Sequence, residues 1–144
     1  MTEYLWLVYA VLSAVMAAFV SIFGKIGLQG LDANPATVIR AVIMALFLVA
    51  VMVVQRNFSH VAEILSNRKA ITFIILSGVA GALSWLFYFV ALKYGKVSQV
   101  APVDKLSVVI ATVVAVLFLG ESVSLLSASG IGLITVGIIM VALG

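Results

Sequence analysis

Lys25, Arg40, Asp104 and Lys105 fall inside runs that are otherwise apolar. Asp104 and Lys105 follow Pro102 by two and three residues, at the head of a run that ends in Leu119-Gly120-Glu121. In hydrocarbon, a proline and a charge pair so close together are costly, so they call for a reason. Their chemistry is recognition of charge: holding an ionic or dipolar passenger, not making or breaking its bonds. Bond-making chemistry has little to work with. There is no paired-carboxylate motif, no His–Glu metal motif and no Ser–His arrangement. Ser21 and Lys25 are spaced for a Ser–Lys dyad, a pair that chance produces often, and an enzyme is not expected. Cysteine is absent, which excludes disulfides, thiol catalysis and cysteine-ligated metals. The lone His60 has no second histidine with which to share a metal, and no cofactor is implied.

The elements that position these charges follow from composition. Of 144 residues, 65% are hydrophobic and only 9% charged, with mean hydropathy +1.36. A soluble domain is nearer a quarter charged, and no soluble fold of this size covers so much apolar surface. The chain is therefore an integral membrane protein with lipid as its surroundings, and the cell (inner) membrane is the expected location. The eight Lys and Arg residues lie at run ends or inside runs, so no basic patch invites nucleic acid. Met1-Thr2-Glu3 lacks a positive n-region and the first run is too long for a signal sequence, so that run is expected to stay.

Each of the five apolar runs is close to the ~20 residues that cross about 30 Å of hydrocarbon. Lipid gives the backbone no hydrogen bonds, so each must be a helix, and none alternates as a barrel strand would. The expected fold is all-α: one polytopic domain over residues 1–144, with transmembrane helices at about 4–28, 35–54, 70–92, 98–119 and 125–143.

Along the first helix, Ser13, Ala17, Ser21 and Lys25 recur every fourth residue beside Gly24. The small residues read as close packing. Lys25 reads equally as a snorkelling cation or as part of a cavity wall. For the second helix, Asn34 is expected as N-cap with Pro35 in the first helical position. Arg40 lies more than one turn inside, where it costs ~2.5 kcal/mol or more unless paired or near water. It can snorkel, or pair with Asp32 or Asp104; such pairing is the first expectation, and contact with a ligand the second. In the polar loop Gln55–Lys69, Phe58, Val61, Ile64 and Leu65 have helical spacing after Ser59, which predicts a short helix lying in the interface. Glu63, Arg68 and Lys69 read as solvated.

In the third helix Ser77, Gly81, Ser84 and Tyr88 share a face that Gly78 and Trp85 adjoin. The small residues predict a packing groove, and Trp85 and Tyr88 a pocket wall. Ser98 is expected to cap the fourth helix. Pro102 then removes a backbone donor near its start. Asp104 and Lys105 stand about 100° apart on an ideal helix, so each is expected to find its partner elsewhere. Glu121 suits the positive end of the last helix, in which Gly130 and Gly137 form a packing seam.

The segments Ser98-Gln99-Val100-Ala101-Pro102 and Leu117-Phe118-Leu119-Gly120-Glu121, followed by Gly130 and Gly137, resemble the EamA domain of the drug/metabolite transporter superfamily. The resemblance extends over all five helices and is carried mainly by the last three. Pro102, Gly120 and Glu121 match the family pattern. The resemblance implies transport of a small metabolite along a path between two inverted halves, lined mainly by the first, third and fourth helices of each. Most relatives hold two such domains in one chain, and this chain has one. The roles of Lys25, Arg40, Asp104 and Lys105 are not part of that common pattern.

An odd number of spans puts the termini on opposite sides. One five-helix chain reproduces an inverted pair only by inserting in both orientations or by meeting a differently oriented partner. Arg56, Arg68 and Lys69 fall on one side of the membrane, and Lys25, Lys93 and Lys96 on the other, with Arg40 and Lys105 nearby within the spans; dual insertion requires so weak a bias, and a single orientation is also compatible with it. The expectation is an antiparallel homodimer working by alternating access. The alternative is a non-transporting subunit, or a half-transporter that needs a different chain. The substrate-binding candidates are Lys25, Arg40, Trp85, Tyr88, Asp104 and Lys105, whose excess of cations favours an anionic or zwitterionic passenger.

Overall fold

The computed structural model describes residues 4–56 and 58–144; Met1-Thr2-Glu3 and Asn57 lie outside them. The described residues form α1 (Leu5–Gly27), α2 (Ala33–Gln55), α3 (Ser59–Ser66), α4 (Arg68–Tyr94), α5 (Val97–Asp104), α6 (Leu106–Leu119) and α7 (Leu125–Leu143). Five stretches are long and apolar enough to span a membrane: α1, α2, α4, the pair α5 and α6 taken together, and α7. Each begins and ends within two residues of its expected bounds, and α3 is the short helix predicted after Ser59. The large apolar side chains face outward along these spans, from Trp6 to Leu125 and Leu143. That is the arrangement lipid selects, because there the apolar solvent lies outside.

Helix starts differ from expectation in two places. Asp32, not Asn34, is the N-cap of α2: its backbone is extended and its Oδ1 accepts the Asn34 N–H at 3.2 Å. Asn34 and Pro35 are thereby the second and third helical residues, and the missing N–H of Pro35 falls among donors that have no helical partner anyway. Ser98 does not cap α5. The Lys96 carbonyl already accepts from Gln99 N–H (3.0 Å) and Val100 N–H (2.9 Å), so the helix starts at Val97 with Lys96 as a cap that has no side-chain bond.

The fourth span is interrupted, as its proline leads one to expect, but the break falls at Lys105. There the backbone (φ −69°, ψ −4°) makes tight three-residue turns: Lys105 N–H donates to the Pro102 carbonyl at 3.0 Å, and Val108 N–H to the Lys105 carbonyl at 2.9 Å. Gly120 closes α6 at φ 69°, a left-handed conformation that glycine adopts without penalty. The Glu121 N–H then reaches back to the Ala115 carbonyl at 3.3 Å. Ser124, a cap the sequence reading missed, starts α7 by accepting the Ser127 N–H at 3.1 Å.

The chain divides into two compact units, Met1–Ile22 with Tyr94–Gly144, and Phe23–Lys93. In the first, α7 packs on α5 and α6, and α5 on α6, with Ile138 buried. Gly130 and Gly137 would have no atom of the chain within 4 Å of an added Cβ. Among the described residues, none comes within that distance of the expected seam at these two glycines. In the second unit Leu28, Ala33, Tyr88, Phe89 and Leu92 are buried. Gly24 at the end of α1 forms a notch for the Phe89 ring: a Cβ there would lie 2.7 Å from Cε1 and 3.0 Å from Cζ. Gly78 and Gly81 have open space instead, so no groove is filled at those positions.

Gly24→Ala is expected to destabilise the protein by about 1–3 kcal/mol, because the buried ring must shift. Gly27→Ala, with nothing within 4 Å, is the control and stays within about 0.5 kcal/mol. Unfolding of the purified protein in detergent measures both.

Candidate functional site

The second unit holds the densest polar–aromatic arrangement. Trp85, Tyr88, Phe89 and Leu92 fall at i, i+3, i+4 and i+7 of α4 and therefore on one face. The Trp85 and Tyr88 rings meet edge to face with centroids 5.8 Å apart, as do Tyr88 and Phe89 at 6.1 Å. Trp85 and Phe89 are tilted at 6.0 Å. From α2, the Arg40 guanidinium carbon lies 3.6 Å from the Trp85 centroid and 4.9 Å from that of Phe89.

This corrects the expectation that Arg40 pairs with Asp32. The Asp32 carboxylate is engaged in capping α2, and Arg40 meets aromatic faces instead. Magnitudes explain why that suffices. Arginine at the centre of a membrane helix costs about 2.5–3.5 kcal/mol on insertion scales. A desolvated cation–π contact returns about 2 kcal/mol or more. Stacking satisfies the face of the guanidinium, while its five N–H donors point outward in the plane. Arg40 also lines a groove of about 530 Å³ along α2, whose other walls are Leu31, Asp32, Pro35, Ala36, Ile39 and Ile43.

Lys25 has a defined role. Its Nζ donates a hydrogen bond to the Leu92 carbonyl, among the last carbonyls of α4, which have no partner further along their own helix. A cation there also answers the negative end of the helix dipole. Lys25 thus ties α1 to the end of α4, and with Gln29, Asp32 and Lys93 it borders a cavity of about 410 Å³.

In the first unit, Asp104 and Lys105 pair with each other, Nζ to Oδ2 at 3.4 Å, where separate partners were expected. The ideal-helix angle does not apply because the helix is interrupted at Lys105, and the lysine stem is long enough to fold back. Their side chains are 34% and 55% exposed, so the pair contributes little stability. A separate groove of about 310 Å³ in this unit, bordered by Val109, Thr112, Val116 and Ile131, is apolar and offers no charge to a ligand.

Of the sequence-derived candidates, Arg40, Trp85 and Tyr88 come together in one cluster. Lys25 acts four residues beyond Tyr88 along α4, on Leu92, and Asp104 with Lys105 forms a pair of its own. Phe89 is the member that sequence reasoning missed. Its signal was position, four residues after Trp85 on the same helical face.

Over residues 4–143 the chain matches the EamA-like transporter family. A Sinorhizobium protein named an uncharacterized transporter is 37% identical over 137 residues, covering 95% of this chain and 96% of that protein. A protein of Methanocaldococcus jannaschii, named only as uncharacterized, is 34% identical over 80 residues, covering 56% of this chain and 58% of that protein. No solved structure matches the chain.

Replacing Lys25 with Met keeps most of the stem but leaves the Leu92 carbonyl without this donor. A loss of about 1.5–3 kcal/mol is expected, the range for a hydrogen bond from a charged group. Lys93→Met, at an exposed position of the same cavity, is the comparison and should unfold closer to wild type in detergent.

Proposed function

We propose, from the premise that this chain belongs to the EamA-like transporter family, that it moves a small metabolite by alternating access as an antiparallel two-fold dimer. The chain is a multi-pass membrane transporter, and residues 1–144 form one five-helix half. The carrying observation is the Arg40 cation of one spanning helix placed over the Trp85 ring of another, beside a groove of metabolite size. Ionisable side chains inside spans are costly and characteristically face a bundle interior or a substrate or ion path. Lys25, Arg40, Trp85, Tyr88, Asp104 and Lys105 are the side chains assigned to that path.

Three features support the paired arrangement. Five spans make an inverted second copy necessary for internal symmetry. The Sinorhizobium protein named an uncharacterized transporter matches over 95% of this chain and 96% of its own length, so the two are alike in size. Gly130 and Gly137 leave one line of α7 open to close approach by another helix.

Because the sequence has no cysteine, Gly144→Cys gives a single label at the C-terminus. An impermeant maleimide is expected to reach it from both faces of the membrane in comparable amounts. Labelling from one face only would remove the antiparallel homodimer and favour a half-transporter that needs a different chain. Purified protein in liposomes should transport without any added partner.

A further inference from the structure

Arg40 is satisfied on its face and available on its edge. The guanidinium carbon lies over the Trp85 ring at 3.6 Å and 4.9 Å from the Phe89 centroid, a separation at which stacking on Trp85 leaves the N–H edge open, while within Phe23–Lys93 none of the described carboxylates forms an ion pair with it. The edge of a stacked guanidinium presents parallel N–H donors whose spacing matches a carboxylate. The adjoining groove is apolar along Leu31, Pro35, Ala36, Ile39 and Ile43. Its other charged wall is Asp32, eight residues earlier, a backbone separation of about 12 Å by helical rise. A second anionic group on the ligand would be pushed toward that carboxylate. One flat cation, apolar walls and a distant negative charge together select an amphipathic monoanion.

We infer that the passenger is a small organic monocarboxylate, its oxygens on the Arg40 N–H edge and its apolar body along α2. The inference rests on the transport reading above and names the substrate class of that site. The aromatic cluster holds the guanidinium plane fixed, so the donors stay aimed as the ligand enters and leaves. Arg40 is the contact residue, and Trp85 and Phe89 position it.

The geometry supplies its own reporter. The protein has two tryptophans, and Trp6→Phe leaves Trp85 alone, with its ring against the binding cation. Purified Trp6→Phe protein is titrated with benzoate, with neutral benzamide and with tetraphenylphosphonium. Benzoate is expected to change Trp85 emission saturably, with benzamide weaker by about tenfold or more, because only the carboxylate makes charge-assisted bonds. Adding Arg40→Gln should abolish the benzoate response, and Arg40→Lys should weaken it, since an ammonium lacks the planar fork.

Absence of a saturable benzoate response, equal responses to benzoate and benzamide, or an undiminished response in Arg40→Gln overturns the inference. Should Arg40→Gln fail to fold, undiminished binding by Arg40→Lys overturns it instead. The measurement is equilibrium binding to the purified chain, so its failure is separate from failure of the transport reading. Saturable tetraphenylphosphonium binding with benzoate silent would replace the substrate class and leave the transporter standing. One-sided labelling of Gly144→Cys would remove the paired arrangement without altering the benzoate result.

Discussion

Hydrocarbon offers a peptide group no partner, and that constraint organises the chain. Inside each span the helix satisfies its own backbone, so lipid-facing side chains are free to be almost uniformly apolar. The unsolved places are the helix ends and the one interruption, and there the polar residues do their structural work. Asp32 accepts a donor at the start of α2 and Ser124 at the start of α7. Lys25 donates to a carbonyl near the end of α4. Gly120 turns α6 out of its helix in a conformation costly to other residues.

The last three turns of α4 join that backbone problem to the functional one. Phe89 fills the Gly24 notch and packs the last turn of α1, within the second unit, on α4. The same ring forms part of the surface on which Arg40 rests. A residue that packs the core thereby also holds the charged donor in place. Leu92, the most buried residue described, offers its backbone carbonyl to Lys25. Packing, capping and charge stabilisation are not separate devices here, because they share side chains within eight residues of one helix.

Much of the fold was legible because it depends on averages over about twenty residues: span number, length and order follow from hydropathy alone. The short α3 was legible from spacing. Choices between neighbours were not. Asp32 and Asn34 are both good caps, and backbone geometry decided between them. Ser98 is a good cap by type, but the chain had entered the helix before reaching it. The Asp104–Lys105 contact escaped because an ideal-helix angle was applied across a break. The site was half legible. Arg40, Trp85 and Tyr88 stand out as unusual in a membrane span, whereas Phe89 is one phenylalanine among many apolar residues. The stacking of Arg40 could not be read at all, since sequence shows a cation but not which surface will receive it.

The length of α4 has a consequence for where this protein can work. Between Lys69 and Lys93 its apolar stretch covers 23 residues, about 34 Å at helical rise. That exceeds a 30 Å hydrocarbon layer, an excess that a helix accommodates by tilting, by kinking or by thickening the bilayer around it. Bilayer thickness therefore bears directly on α4: a thicker layer matches its apolar length, and a thinner one increases the mismatch that the helix and its lipid must absorb.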